Sequence, residues 1–208
     1  MAVTTWDGSS STDWNTAANW DTNAVPTSSD DVIIPDTSSI NNCELSATGG
    51  NPKNVHSLKL EANGTLIGND IAIRVYGEGD GSSGTTNGYA VDLDGIVSGD
   101  LNLTIQTDDT TNLDIIPSSG NVHDLVINLG DAARIAKIQT GGPTLTGDLT
   151  ITSGQLSTEN NALTVTGTTT IGPGSGVAAQ ATLTCGSGTI SLGAPRQQAD
   201  YAVYIENG

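Results

Sequence analysis

Basic and aromatic residues are scarce in this chain. The first scarcity excludes a class of partner, and the second indicates the kind of secondary structure. Six Lys and Arg face 23 Asp and Glu in 208 residues, a formal net charge of −17. Because such a surface repels a phosphate backbone, we expect no nucleic-acid partner. Phenylalanine is absent, and the aromatic residues are three Trp and four Tyr. Together with 26 glycines, this composition predicts many short strands joined by tight turns.

Long apolar runs and closely spaced cysteines are also missing. The apolar runs, such as residues 32–34 and 125–127, are only a few residues long and β-branched, so we expect no membrane span. The first residues lack the basic and apolar segments of a secretory signal, which predicts synthesis in a cytoplasm. Cys43 and Cys185 lie far apart and are expected to be buried, reduced thiols.

Internal similarity predicts a repeated β architecture. NVHSLKL at residues 54–60 recurs as NVHDLVI at residues 121–127, and SGDLNLTI at residues 98–105 recurs as TGDLTI at residues 146–151. The offsets of 67 and 48 residues fit repeats of about 22 to 24 residues, as in a β-solenoid. Alternation in residues 145–151 and 163–167 would send every second side chain into a narrow interior.

We therefore predict an all-β, single-stranded-coil β-solenoid (β-helix) with an N-terminal Trp-rich cap. The predicted organisation is a capping or attachment segment at residues 1–50, a solenoid body at 51–193 and a C-terminal tail strand at 194–208. Within these, residues 76–89 are expected to form a projecting loop and residues 201–205 a last strand. A β-sandwich is the alternative, because short strands separated by turn signals describe that class too.

No catalytic constellation stands out. His56 and His123 occupy the same place in a repeated motif, which predicts one structural corner made twice, with each ring hydrogen-bonded to a neighbouring coil. Asp92 and Asp94 flank Leu93 on one strand face, but this pair alone does not define a glycosidase site. We expect no enzyme activity, and hence no catalytic or cofactor-binding residues.

A cation is the one cofactor left open. GEGDG at residues 77–81 is similar to acidic glycine loops that bind hard cations through oxygen ligands. Its spacing fits neither the nine-residue calcium repeat nor the EF-hand. We predict a surface loop without a metal site and leave Ca²⁺ open.

The three tryptophans all lie within the first twenty residues, in a segment with a recognisable motif. Its elements are Trp6-x-Gly8, Asp13-Trp14, Ala18-Asn19-Trp20, Val25-Pro26 and DDVIIP at residues 30–35. This motif resembles the start of β-helical surface proteins of bacteriophage virions and bacterial adhesins. The later segments at residues 147–156 and 163–167 are similar to the coils that follow in such proteins.

The resemblance implies an extended scaffold displayed on a surface, with no catalytic residues to carry over. Trp6, Trp14, Trp20, Asp30 and Asp31 are then the cap or attachment candidates. The rings would plug the first coil or dock on the particle, and the two aspartates would cap turns or accept backbone hydrogen bonds that the first coil leaves unpaired.

Two functions are consistent with this resemblance. The first is a capsid (head) decoration or cement protein on the virion surface, made in the host cytoplasm. Its partners would be the major capsid protein or other virion proteins, with self-association left open and no membrane partner. The alternative is a tail-fibre or adhesin segment that binds host-surface glycan.

Overall fold

The computed structural model describes residues 1–79, 88–172, 181–193 and 195–196, which are almost entirely β. One 3-10 turn, Ala17–Asn19, lies among these residues. The strands are β1 (Ala2–Thr5), β2 (Asp30–Ile34), β3 (Cys43–Glu44), β4 (Lys53–Val55), β5 (Ser57–Leu60), β6 (Thr65–Ile67), β7 (Ile71–Val75), β8 (Tyr89–Leu93), β9 (Ile96–Ser98), β10 (Leu101–Ile105), β11 (Thr111–Asp114), β12 (Val122–Asn128), β13 (Ile135–Ile138), β14 (Thr144–Leu145), β15 (Leu149–Ser157), β16 (Leu163–Val165), β17 (Thr169–Ile171), β18 (Ala181–Thr184), β19 (Ile190–Leu192) and β20 (Pro195–Arg196).

These strands pair in three parallel ladders. The first ladder contains β1, β2, β5, β8, β11, β13, β15 and β18. The second contains β4, β7, β10, β12, β14 to β17, β19 and β20, and the third β3, β6 and β9. The long strand β15 belongs to the first two ladders and joins them into one curled, 17-stranded sheet. Since the ladders are parallel, the alternative of an antiparallel sandwich does not fit.

Stacked apolar side chains run along the ladders and form one continuous core. In the second ladder, six β-branched residues lie opposite one another from strand to strand and are buried: Val55, Val75, Ile105, Ile127, Ile151 and Ile171. Such cross-strand pairs are the unit of sheet stabilisation. The same core cluster includes Trp6 near one end and Cys185 near the other, so residues 1–50 contribute to the packing of the later strands.

The predicted alternation is confirmed, whereas the predicted repeat register is displaced. Leu145, Leu149 and Ile151 are buried, as expected. Ladder partners lie between 20 residues apart, as for Ala136 and Leu156, and 33 residues apart, as for Leu58 and Val91. The motif at residues 98–105 does not superpose on that at 146–151. Leu149 lies opposite Leu125, which lies opposite Leu103 rather than Leu101.

The prediction that His56 and His123 occupy one repeated corner is wrong. Val55 ends β4 and aligns through the ladder with Ile127, so His56 lies at the corner that leads into β5. His123 lies inside β12, after Val122, which pairs with Leu101. Both rings do contact a neighbouring strand level, His56 through Asp31 and His123 through Thr146, with Nδ1–oxygen distances of 2.8 and 3.1 Å.

In the second ladder, side-chain oxygens near the beginnings of strands β10, β12 and β15 accept hydrogen bonds from the next strand level. Asn102 Oδ1 accepts the backbone N–H of Asp124, Asp124 Oδ1 accepts that of Asp148, and Asp148 Oδ1 accepts that of Thr168. The distances are 3.2, 2.7 and 2.7 Å. We call this set the Asx column. It supplies acceptors to backbone donors next to the register shift in β10 and β12, where the regular ladder is interrupted.

Two predicted features fall outside the description. Most of the expected loop at residues 76–89 and the expected last strand at 201–205 lie outside the described residues.

Cys43 and Cys185 are buried and unpaired, as predicted. Among the described residues, no helix is long and apolar enough to cross a membrane.

Candidate functional site

The three tryptophans form one buried cluster at the β1 end of the ladders. Trp6, Trp14 and Trp20 are at most 1 % exposed. The ring of Trp20 meets those of Trp6 and Trp14 edge to face, with centroids 5.1 and 4.8 Å away, a favourable arrangement for aromatic rings. Two of the indole nitrogens have acceptors: Trp6 Nε1 donates to the Asn41 carbonyl and Trp20 Nε1 to the Trp14 carbonyl, each over 2.8 Å.

Asn19 organises the loop that carries these rings. Its side chain is completely buried and makes four hydrogen bonds. Oδ1 accepts the backbone N–H groups of Ser10 and Ser11, and Nδ2 donates to Ser11 Oγ and the Asp13 carbonyl, all over 2.8–2.9 Å. A buried amide with all its hydrogen-bonding capacity used fixes the loop in one conformation, which explains the asparagine in Ala18-Asn19-Trp20.

Gly8 allows the loop to close over Trp6. Its φ is +53°, in the left-handed region that favours glycine. A Cβ at this position would lie 2.7 Å from the Asn41 carbonyl oxygen and 2.8 Å from Trp6 Nε1, the two atoms of the indole hydrogen bond. The Trp-x-Gly pattern is therefore a packing requirement of the cluster.

The same loop covers the open edges of two ladders with main-chain hydrogen bonds. On the first ladder, Trp6 and Trp20 form an antiparallel bridge, and Asp21 N–H donates to the Thr5 carbonyl over 3.0 Å. On the third ladder, Trp14 N–H donates to the Glu44 carbonyl over 2.9 Å, and Glu44 N–H donates to Thr12 over 2.8 Å. We call residues 5–21 the cap, because they satisfy backbone groups that a strand edge would otherwise leave unpaired.

Asp30 and Asp31 have different roles. Asp30 Oδ2 accepts both the backbone N–H and the hydroxyl of Thr27 over 2.8 Å, so it caps a turn as predicted. Asp31 is buried at 1 % exposure. Its hydrogen-bonding partners are side chains rather than backbone groups. His56 Nδ1 and Ser57 Oγ lie 2.8 and 2.7 Å from its Oδ1.

The Asp31, His56 and Ser57 side chains form a constellation that separate sequence positions did not reveal. Its geometry differs from a nucleophilic triad, in which the serine hydroxyl donates to the imidazole and the carboxylate orients the other ring nitrogen. Here the Ser57 hydroxyl donates to Asp31, and Ser57 is completely buried. The arrangement ties β5 to β2 and gives the buried carboxylate two hydrogen-bonding partners.

A cleft of about 270 Å³ lies beside the cap. Its walls include Trp14, Asn15, Val25, Pro26, Lys53 and Asn54. Lys53 is almost fully buried, and its Nζ donates to Asn15 Oδ1 and to the Thr48 and Gly50 carbonyls over 3.0, 2.5 and 2.7 Å. Burial lowers the pKa of Lys53, and the nearby Asp13 opposes that shift.

Asp13 supports this lysine from the cap. Burial alone would raise its pKa, but hydrogen bonds from Asn15 and Ser46 together with the Lys53 charge outweigh that effect, and the pKa of Asp13 is lowered. An ionised Asp13 next to an ammonium with three oxygen partners forms a locally balanced pair. Lys53 therefore acts as an internal brace between the cap and the segment before β4.

Three carboxylates meet on the outer face of the first ladder. Asp92, Asp94 and Asp114 place one oxygen each within 4.8 Å of the others, because Asp92 lies opposite Asp114 in the ladder. Partial burial, followed by the charges of Asp94 and Asp114, raises the pKa of Asp92 to about 6. Oxygen ligands of this type suit a hard cation, yet exposed acidic groups commonly cluster without one.

The glycine loop that was similar to cation-binding loops is only partly described. Residues 80 and 81 lie outside the described part of the chain. Glu78, which precedes them, accepts the backbone N–H of Asn112 at its Oε1 over 2.8 Å. One of its carboxylate oxygens is therefore engaged in linking strand levels.

Comparison with known proteins identifies one family model. A domain of unknown function (DUF8693) matches residues 5–77. No curated protein and no solved structure matches the chain. The matched residues include the cap, the Lys53 brace and the Asp31–His56 pair, so the match covers the capped end and stops after β7.

The structure thus brings the three predicted tryptophans together. Asp30 and Asp31 are the first two residues of β2, and Asp30 caps the turn that precedes it. The sequence did not predict three further residues that bond within that region: Asn19, Lys53 and His56. The one signal for Asn19 was its position between Ala18 and Trp20 in the motif. Lys53 carried no local signal, because its oxygen partners Asn15 and Thr48 come from separate turns.

Proposed function

We propose that the chain is a capped β-solenoid and serves as a non-enzymatic structural protein of a bacteriophage virion. In this proposal it is a head decoration or cement protein on the particle surface, assembled in the host cytoplasm. Its partner is the major capsid protein or another virion protein.

The solenoid assignment is supported by the order in which the chain visits its ladders. From β4 to β10 the strands fall in the second, first and third ladders in turn, and every pairing is parallel. Each strand therefore stacks on an equivalent strand about one coil later, as in solenoid proteins. The Asx column adds side-chain hydrogen bonds between later levels of the second ladder, from β10 onward.

The observation that carries the structural role is the cap. A stack of parallel strands exposes edges that invite further strands, and natural proteins cover such edges to prevent uncontrolled association. Here the cap closes the first and third ladders with main-chain bonds and a buried Trp cluster. Covering strand edges of these two ladders limits association of copies through them, which suits display at high density.

The virion assignment is supported by the motif of the N-terminal segment, which resembles phage surface proteins, and by the charge. A net charge of −17 keeps neighbouring copies from adhering nonspecifically. We place attachment at the capped end. Because the Trp rings are buried, contact with the particle would use the outer surface of the cap rather than the rings themselves.

The test is the composition and reconstruction of intact particles from the phage that encodes the chain. Mass spectrometry should find the protein in purified particles, and a cryo-EM reconstruction should place many symmetry-related copies on the head with the capped end inward. Absence from particles would overturn the virion proposal. Copies confined to the tail tip would overturn the decoration role and favour the fibre alternative, which reproducible binding on a glycan array would support.

A further inference from the structure

The second ladder has an open edge that the cap leaves uncovered. Its first strand, β4, pairs with β7, and no other strand in the described part of the chain adds to β4. At the first and third ladders, residues 5–21 bond to the edge strands at Thr5 and Glu44. No such bond reaches β4 in the described part of the chain, and Lys53 and Asn54 of that strand line the cleft.

The direction of the free backbone groups follows from the ladder. Tyr76 N–H donates to the Val55 carbonyl over 3.1 Å, so Val55 faces β7. Because successive residues of a strand in a parallel ladder direct their N–H and C=O groups to opposite sides, the backbone groups of Asn54 face away from β7. Asn54 is exposed and lines the cleft.

We propose that this edge binds an extended, basic peptide segment of a partner protein by strand addition. The N–H and C=O of Asn54 would pair with the peptide backbone, as in other complexes that extend a sheet edge. Val25 and Pro26, which also line the cleft, offer apolar contact to one side chain of the peptide.

The acidic charge of the whole chain, rather than that of the cleft lining, selects a basic segment. Lys53 is a cation in the wall, and its ammonium is already held by three oxygens, with Asp13 beside it. Asp30 adds a carboxylate at Thr27, which lines the cleft. With a chain charge of −17, Lys or Arg residues that flank the paired residues are attracted, and acidic segments are repelled.

The experiment uses the purified full chain and an array of seven-residue peptides. Each peptide has Lys at both ends and varied central residues, and a matched array has Glu at both ends. Asn54→Pro removes the N–H that faces the cleft while the N–H groups of Lys53 and Val55 remain. Asn54→Ala keeps that N–H and serves as the matched control.

The expected result is binding of a subset of Lys-flanked peptides with apolar central residues. Asn54→Pro should weaken this binding about tenfold, as for the loss of one hydrogen bond, while Asn54→Ala changes it less than about twofold. The Asn54 amide should shift in NMR spectra on titration. Backbone N-methylation of the peptide at its pairing position should also abolish binding, which keeps the test decisive if Asn54→Pro does not fold.

No binding by any Lys-flanked peptide, equal binding by Glu-flanked peptides, or binding without a shift of the Asn54 amide would overturn the proposal. Because the assay contains only the purified chain and synthetic peptides, its outcome is separate from the location of the protein in a particle. The edge can take such a segment whether or not the protein belongs to a virion.

Discussion

The indole Nε1–H of Trp20 donates a hydrogen bond to the carbonyl oxygen of Trp14 over 2.8 Å, while the two rings meet edge to face at 74°. This contact joins the part of the cap on the third ladder to the part on the first. It makes the cluster a structural unit of the protein rather than an exposed docking patch, since both rings are at most 1 % exposed.

Trp14→Ala should therefore act through folding. Removing a large buried aromatic side chain typically lowers the free energy of unfolding by about 3–5 kcal/mol, and urea denaturation would measure it. If the chain attaches to particles as proposed, this attachment should fall only in proportion to the unfolded fraction. Unchanged stability together with lost attachment would show instead that Trp14 belongs to an interface.

Asn19→Ala should destabilise the cap strongly. The change removes four hydrogen bonds and leaves the N–H groups of Ser10 and Ser11 without their acceptor. We expect a loss of about 3 kcal/mol in the free energy of unfolding. Asn121→Ala, at an exposed position, is the control and should change it by less than about 0.5 kcal/mol. Equal effects of the two substitutions would refute the role of Asn19.

The Asx column predicts different effects on stability for two substitutions of Asp148. Asp148→Ala removes the acceptor for the Thr168 N–H and should cost about 1 kcal/mol. Asp148→Asn keeps an oxygen acceptor and removes a charge next to Asp124, so stability should be unchanged or higher, most clearly at low salt. Thermal unfolding at two salt concentrations distinguishes them, and equal destabilisation by both would contradict the acceptor role.

The raised pKa of Asp92 predicts that the free energy of unfolding depends on pH. Its folded-state pKa of about 6 exceeds the ordinary value for an aspartate, 3.8, so the folded protein holds this proton more tightly than the unfolded chain. The contribution to stability is present below about pH 4 and is lost as the pH rises through about 6. Because the group is partly exposed, screening reduces the effect to about 1 kcal/mol.

Asp92→Asn should consequently raise the free energy of unfolding at about pH 7.5 by about 1 kcal/mol and have little effect at about pH 4. Urea titrations in EDTA at both pH values measure this difference. Asp108→Asn, in an exposed bend between β10 and β11, is the control and should leave the pH profile unchanged. A destabilisation by Asp92→Asn at the higher pH would contradict the predicted repulsion.

The sequence predicted which faces are buried but could not assign the register between strands. Alternation identified Leu149 and Ile151 as inward residues, and both are buried. A displacement of two residues preserves that alternation, so the motif at residues 98–105 aligned convincingly with 146–151 although Leu149 follows Leu103 in the ladder.

Contacts that depend on the sequence spacing between ladder partners could not be predicted from the sequence for the same reason. Asp92 and Asp94 were visible as a pair, but Asp114 joins them only because it lies one level further along the ladder. His56 meets Asp31 across 25 residues. The Trp cluster was apparent because its three members are close in the sequence, whereas Lys53 reaches Asn15 across 38 residues.

Amide hydrogen exchange, resolved by NMR in the isolated protein, tests most directly the claim that residues 5–21 bond to the edges of the first and third ladders and leave the β4 edge of the second ladder uncovered. The backbone N–H groups of Trp14, Asp21 and Glu44 are hydrogen-bonded across the cap, and we predict strong protection for all three. Asn54 should exchange rapidly, unlike its neighbour Val55. Rapid exchange at Trp14 and Glu44, or protection of Asn54 equal to that of Val55, would contradict the capped structure proposed for this protein.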